Sequence, residues 1–343
     1  MRAVGDIPYL NQECHLCLDT SVTYVVEQHS PIIIGSERSE AGIPAAMEIL
    51  RSGGSALDAV ERGLRLCEDN LLDHYVGTGG LPNARGIVEL DASIMIGSTR
   101  AFGAVAAVKN YPNPISIARK VLEQLPQHSL LVGEGAEAFA EYVGLTTAEL
   151  LTPESEALWL KQLETANSES IEGENTRATS GDERYRLASL ELVKRMAPHA
   201  GPWGTINIIA LDQFGELVCG VSTSGYPYKH PGRVGDSAIA GAGNYSDIRY
   251  GAAACTGRGE LALRAGTART IVDNLRVGQD PETACSNALL DARTLPDDFR
   301  AELRCLSLTQ DGRHGGAAGM EGSTYTLMTE HSTAPEFRPR RLT

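Results

Sequence analysis

Thr205-Ile-Asn-Ile-Ile-Ala-Leu-Asp212 begins abruptly after a long polar stretch, and its run of isoleucines reads as a strand buried on both faces. Asp212–Gly215 makes a turn, and Leu217 to Ser222 returns as a second strand. The residues before this hairpin, from about Thr152 to Gly204, have a different character. Glutamate, serine and threonine dominate, and SESIEGENTRATSGDER (168–184) has no core-forming period. That is the composition of a solvated or disordered linker. Composition alone favours a long surface loop. A polar segment feeding straight into a core strand is also the arrangement expected where a chain must be open to cutting.

Working outward, residues 1–30 read as an irregular leader, and Ile32-Ile33-Ile34 as a short buried strand stopped by Gly35. Two helices follow. The first ends at Gly53-Gly54; the second starts at Ser55 as N-cap and places Leu57, Val60 and Leu64 on one face. A glycine-rich segment, Val76 to Asn83, precedes an alternating strand from Ile87 to Met95. Pro114 opens a helix whose buried side is Ile115, Ala118, Val121, Leu122 and Leu125. Beyond the hairpin, Gly232–Ser237 is a polar loop and Gly241-Ala-Gly243 a tight turn. Tyr250–Cys255 is a small-residue strand running into Thr256-Gly257-Arg258-Gly259. Helices are expected over Glu260–Arg276 and from Pro281, and strands over Leu303–Leu308 and Thr324–Met328. Strands and helices do not alternate strictly, so a doubly wound parallel sheet is disfavoured. The pattern predicts an α+β fold, with helices covering stacked, largely antiparallel sheets, as one domain over 31–343.

The chain has 343 residues, 42% of them hydrophobic and 22% charged, with a net charge of −14. Such a balance argues against nucleic-acid or anionic-membrane partners, which need a basic surface. It leaves room for an anionic small substrate held by one well-placed arginine. No apolar run approaches the roughly 18 residues of a membrane span. The N-terminal residues lack a signal-peptide pattern, which sets a cytoplasmic expectation. Seven cysteines form an odd set, read as reduced thiols. Cys14 and Cys17 form one C-x-x-C without a matching second pair, so no metal site and no cofactor is expected.

The common nucleophile signatures fail. Gly220-Val-Ser222-Thr-Ser224 lacks the final glycine of G-x-S-x-G, and no Walker-type loop or complete dinucleotide fingerprint occurs. Eight histidines show no ligand spacing, and His128 and His230 read as ordinary surface or core residues. What remains is a set of threonines, one arginine and one aspartate in glycine-rich loops. That set suffices for amide hydrolysis if the nucleophilic threonine is an N-terminal residue. A free α-amine has a pKa near 8 and can accept the hydroxyl proton without a histidine. Arg233 could fork onto an α-carboxylate and Asp236 onto an α-ammonium. Thr256 and the backbone N–H of Gly257 could donate to an oxyanion. Each has a plainer alternative: a loop ion pair for Arg233 and Asp236, an N-cap for Thr256.

GTINIIALD, VSTSG, HPGRVGDSAIAGAGNYSD and GAAACTGRGE resemble the β-subunit of the threonine-nucleophile asparaginase family. That family contains glycosylasparaginases, isoaspartyl peptidases and plant-like asparaginases. GGSALDAVE, VGTGGLPNARGIVELDASIM, NPISIARKVLE and LLVGEGAEAFA resemble its α-subunit, so the match covers about 31–151 and 203–290 in order. GGLPN, GTIN and STSG look nearer to the glycosylasparaginase branch. The resemblance implies a four-layer αββα sandwich of the N-terminal-nucleophile (Ntn) hydrolase type. It implies cleavage between Gly204 and Thr205 into chains 1–204 and 205–343, and a homodimer of cleaved αβ units. Thr205 would be autoproteolytic residue and nucleophile, with Thr223 beside it. Arg233 and Asp236 would grip an aspartyl substrate, and Thr256 and Gly257 would form the oxyanion hole.

Two departures from the glycosylasparaginase pattern stand out. Gly204 replaces the aspartate common before the nucleophile, so the base for self-cleavage must come from elsewhere. Glu37 occupies the position of a pocket tryptophan, which removes an apolar stacking surface. Three readings stay open: a glycosylasparaginase, an isoaspartyl peptidase or L-asparaginase, and an uncleaved homologue with a binding or structural role.

Overall fold

The alternation of side chains along each strand sorts the apolar residues into separate layers. The structure, a computed structural model, describes residues 29–168, 190–196, 204–299 and 302–343. Strands β1 (Ile32–Gly35), β2 (Leu90–Ile96), β3 (Phe102–Val108), β4 (Leu130–Val132), β5 (Ile206–Leu211) and β6 (Leu217–Thr223) belong to one sheet. The second sheet begins with β7 (Asn244–Asp247), β8 (Gly251–Gly257), β9 (Leu303–Leu308) and β10 (His314–Ala318). Strands β11 (Thr324–Thr329) and β12 (Glu336–Pro339) complete the first sheet, and β13 (Arg341–Leu342) the second. Their orders are β12-β11-β1-β5-β6-β2-β3-β4 and β13-β10-β9-β8-β7. Neighbours run antiparallel except β3–β4 and β10–β13.

Helices α1 (Ile43–Arg51), α2 (Ala56–Glu68), α3 (Pro114–Gln124) and α4 (Gly133–Tyr142) contribute to the core on the outer face of the first sheet. Helices α5 (Pro153–Ser168) and α6 (190–196) follow in the acidic segment. Helices α7 (Gly259–Ala265), α8 (Thr267–Arg276) and α9 (Pro281–Arg293) pack on the second sheet. Ile206, Ile208 and Ala210 of β5 face the first helical layer, meeting Met47, Val60 and Leu64. Ile209 and Leu211 face the other way, onto Ala252, Ala254, Leu306 and Leu308 of the second sheet. Burying one such isoleucine is worth about 1.5–3 kcal/mol. The strand is buried at every position because it lies between a helix layer and a sheet. The expected four-layer αββα fold is what forms. Gly220 lets α2 come close: a Cβ there would lie 2.6 Å from Val60 Cγ1 and 2.8 Å from Leu64 Cδ1.

Several elements differ from the sequence expectation. The helix expected over 260–276 breaks into α7 and α8 at Gly266, whose φ is 58°. Residues 87–89 precede β2 rather than belonging to it. Strand β3 (FGAVAAV) carries no polar alternation because α3 packs onto it so closely that a Cβ on Gly103 would lie 2.2 Å from Ala118 O. The segment read as linker carries α5, which docks through Trp159 and Leu163 onto a small cluster with Leu192, Met196 and Tyr228. Trp159 stacks on Tyr228 at 5.3 Å between ring centres. Residues 1–28, 169–189 and 197–203, which include most of the leader, Cys14, Cys17 and much of the linker, lie outside the described residues. Cys67, Cys219, Cys255, Cys285 and Cys305 are buried free thiols. No helix among the described residues is long and apolar enough to cross a membrane.

Glu68, the last residue of α2, ties helix to sheet. It accepts from Ser222 Oγ at 2.6 Å in β6 and from Ile115 N at 3.2 Å at the start of α3. Burial pushes its carboxyl up to about 8 despite these donors. Because the folded value lies above the unfolded one, the proton-linked stability is full below about pH 4 and is lost as pH rises through 8. Urea midpoints measured from pH 6 to 9 should therefore fall in the wild type, and the fall should flatten in Glu68→Gln.

Candidate active site

The register of one hairpin sets the centre of the site. Ile206 pairs with Ser222 in the β5–β6 ladder, so Thr205 and Thr223 fall side by side one step beyond it. Thr205 Oγ donates to Thr223 Oγ at 3.1 Å, and Thr223 Oγ donates to Gly204 O at 3.0 Å. Gly225 N donates to Thr223 Oγ at 2.9 Å, leaving that hydroxyl's single proton for the Gly204 carbonyl. Thr205 is 8% exposed.

Thr256, near the end of β8, comes from the second sheet. Its hydroxyl accepts from Asn207 Nδ2 at 2.9 Å and faces Thr205 O at 3.4 Å. Ser36 Oγ donates to the same carbonyl at 3.2 Å and accepts from Asn207 N at 3.1 Å. Ser36 and Asn207 went unnoticed in the sequence as site residues. Asn207 carried a signal, being a polar residue within a strand otherwise apolar; Ser36 carried none. Gly257 ends β8 with φ 119°, and a Cβ there would lie 2.2 Å from Glu302 O.

Arg233 and Asp236 sit on the loop between β6 and β7, folded on itself by Arg233 N→His230 O (2.9 Å) and Gly243 N→Asp236 O (3.1 Å). Glycines make the space. A Cβ on Gly235 would lie 3.0 Å from Arg233 Nη1, and one on Gly259 would lie 2.8 Å from Asp236 Oδ1 and 3.1 Å from Arg233 Nη2. The guanidinium lies 4.4 Å over the Tyr226 ring. Glu260 accepts from Arg233 Nε at 2.9 Å and pairs with Arg258 at 2.9 Å, so one edge of Arg233 is occupied by protein. Lys229, also unread as a site residue, is buried beneath this loop and donates to Glu89 O at 3.0 Å. Asp236 is buried with Oδ2 unpartnered. Burial drives its carboxyl up to about 7, against the pull of Arg233.

Thr205 lies between two cavities. The first is lined by Gly204, Thr205, Thr223, Gly225, Arg233, Gly235, Asp236, Ser237 and Gly257, and has only about 10 Å³ free, the space of one water. The second, of about 210 Å³, touches Thr205, Thr256, Gly204, Glu37, Tyr75 and Arg304 among its walls. Every residue singled out from the sequence thus lines one or other cavity around Thr205. Glu37 is not a loose carboxylate in the second: it accepts from Ser323 Oγ (2.8 Å), Arg304 Nη1 (3.3 Å) and Arg340. Burial alone would raise its carboxyl, but Arg340 and Arg304 outweigh that and hold it low.

The αββα sandwich, with two hydrogen-bonded threonines at adjacent strand ends, is the arrangement of the N-terminal-nucleophile hydrolase fold. The asparaginase family model matches residues 36–333, and the chain belongs to that family, the asparaginases of the second type, which hydrolyse amide bonds. It is 36% identical over 300 residues to the N(4)-(beta-N-acetylglucosaminyl)-L-asparaginase of Mus musculus, covering 84% of each chain. It is 40% identical over 244 residues to that of Elizabethkingia miricola, covering 71% of this chain and 64% of the relative. It is 35% identical over 314 residues to the plant-type L-asparaginase of Pyrococcus furiosus, covering 88% and 96%.

Asp236 must lose its proton to pair with a cation, so binding of an ammonium group there is expected to weaken about tenfold per pH unit below 7. Calorimetric titration of the protein with L-aspartate from pH 5 to 8 checks this. Asp236→Asn should bind weakly and without that slope.

Proposed function

We propose that the chain cuts its own 204–205 peptide and that the freed Thr205 then hydrolyses the side-chain amide of an asparagine derivative, in the manner of a glycosylasparaginase. The observation that carries the reading is the circuit Thr205 Oγ–H to Thr223 Oγ, Thr223 Oγ–H to Gly204 O. Such a circuit supplies what Gly204 cannot. As Thr205 Oγ attacks the Gly204 carbonyl carbon, Thr223 takes the Thr205 proton and passes its own to the carbonyl oxygen. The neutral ring intermediate collapses as its C–N bond breaks, its hydroxyl proton passes to nitrogen and the C=O re-forms, leaving an ester on Thr205 Oγ. That collapse has already freed the α-amine of Thr205; water then hydrolyses the ester, releasing the Thr205 hydroxyl and the Gly204 carboxylate.

In turnover the α-amine of Thr205 accepts the hydroxyl proton, and Oγ attacks the substrate's side-chain carbonyl. We assign the oxyanion to Thr256 Oγ–H and the Gly257 N–H; the buried Thr256 hydroxyl, facing the Thr205 carbonyl at 3.4 Å, supports that reading. The leaving amine takes a proton, and water releases aspartate from the ester. Arg233, with one edge held by Glu260, offers its other edge to the α-carboxylate, and Asp236 takes the α-ammonium. The head-group cavity has room for about one water in the continuous chain, so self-cleavage would also open the site by removing Gly204 from it.

The second cavity bears on the leaving group. At about 210 Å³ it is several times the roughly 30 Å³ occupied by a water-sized molecule, which favours a bulky amine such as a glycosylamine over ammonia. Arg38 and Arg304 on its walls favour a second reading, an amino acid whose own carboxylate they would meet, as in a β-aspartyl peptide. A homodimer of αβ units, aspartyl or asparaginyl substrates, and no required cofactor complete the proposal.

Intact-mass spectra of denatured protein should show two chains meeting at Gly204 and Thr205, and Thr205→Ala should leave one chain with turnover reduced at least a thousandfold. Full activity from an uncut chain would end the mechanism. Arg233→Lys should raise KM tenfold or more, because an ammonium cannot form the two parallel bonds of a guanidinium. Among aspartyl-glucosamine, β-aspartyl dipeptides and asparagine, the first should turn over fastest. Faster dipeptide turnover would assign the second cavity to a carboxylate-bearing amine.

A further inference from the structure

Gly204 touches a residue that the chemistry above does not use. An ideal Cβ on Gly204 would lie 2.1 Å from Tyr75 Cγ, 2.2 Å from Tyr75 Cβ and 2.7 Å from Tyr75 Cδ1. The nearest of these atoms are the root of the tyrosine side chain, so rotating the ring does not remove them. Nor is the backbone of Tyr75 loose. Its N–H donates to Asp73 Oδ1 at 2.9 Å, and its carbonyl accepts from Ser224 N at 2.7 Å, one residue beyond Thr223. Asp73 in turn pairs with Arg38 at 3.3 Å, and the Arg38 guanidinium lies 4.5 Å over the Tyr75 ring. Tyr75 is therefore pinned to the strand end that carries Thr223 and presses on the residue that supplies the scissile carbonyl.

We propose that Tyr75 is the positioning residue for self-cleavage in this protein: its fixed Cβ and ring hold Gly204 so that the 204–205 carbonyl meets Thr223, and they dictate that only glycine can precede the nucleophile. This rests on the self-cleavage reading above. Any side chain at 204 must push the main chain off Tyr75 by about 1 Å, since real Cβ contacts below 3.0 Å essentially do not occur. A displacement of that size removes the 3.0 Å bond from Thr223 Oγ to Gly204 O. The absence of a carboxylate before Thr205 is then a packing consequence. Tyr75 occupies the space such a side chain needs, and Thr223 carries the proton in its place.

The test is a double-mutant cycle on freshly isolated precursor, with the fraction cleaved followed by intact mass. Gly204→Ala should slow cleavage at least tenfold. Tyr75→Gly, which removes both the ring and the Cβ, should slow it severalfold by releasing the peptide. The double variant should cleave within about threefold of Tyr75→Gly, and Tyr75→Phe, which keeps the ring, should cleave at the wild-type rate. A Gly204→Ala protein that cleaves normally, or a double variant no faster than Gly204→Ala, overturns the proposal. The same cycle in a Thr205→Ala background, read as melting temperature, separates the two ideas. Loss of Tm in Gly204→Ala and its recovery in the double variant support the interlock even if the wild-type chain stays whole; additive shifts reject it.

Discussion

The pairing of β5 with β6 is the constraint on which the site depends. Their antiparallel register sets Thr205 against Thr223 and leaves the Gly204 carbonyl within reach of the second hydroxyl. A slip of one residue would turn every side chain of β5 to its other face and part the two threonines. The register is held by packing on both sides. Ile206, Ile208 and Ala210 lock into the helices, and Ile209 and Leu211 into the second sheet. Stability and local geometry thus rest on the same alternation, and Thr205 sits at the end of a strand pair buried at every position.

Around that pair the site is assembled from both sheets. Asn207, on β5, reaches across to Cys255 O and Thr256 Oγ on β8, joining the two sheets by polar contacts at the point where their ends converge. The loop bearing Arg233 and Asp236 closes a third side, and its glycines act by what they omit: side chains at 235 or 259 would occupy the space of the guanidinium or the carboxylate. A strongly acidic protein in this way presents a cation inside a cleft. Glu260 and Arg258 share the neighbouring charge, which keeps Arg233 oriented instead of collapsed onto Asp236.

The second cavity has a different logic. The position expected to lack an aromatic wall does carry a carboxylate at residue 37, but Arg304, Arg340 and Ser323 draw that group into an ion-pair cluster. Tyr75, a residue distant in sequence from Glu37, lines the same space. Aromatic surface beside Thr205 is therefore retained from another segment, and its neighbour Arg38 makes that wall polar at one edge.

Much of the layered fold was legible in the sequence because burial is periodic. The isoleucines of β1 and β5, the Ser55 cap of α2 and the proline opening α3 each reported their element through local chemistry. The threonines and the Arg–Asp pair of the cleft were legible as residue types able to do amide chemistry, each with a plainer alternative, and their roles came from the resemblance to the asparaginase family. Strands such as β3 and β10 were not, since small residues packed under a helix or another strand leave no alternation to read. Helix α5 was missed because Trp159 and Leu163 anchor it in a small cluster with residues distant in sequence. Ser36, Tyr75, Lys229 and Glu260 acquire meaning only when distant segments meet. The sequence by itself determined which side chains alternate and which chemistry was on hand. The tertiary structure decided which hydroxyl faces which carbonyl, because hydrogen bonds and steric contacts between segments act over a few ångströms and depend on how the layers close.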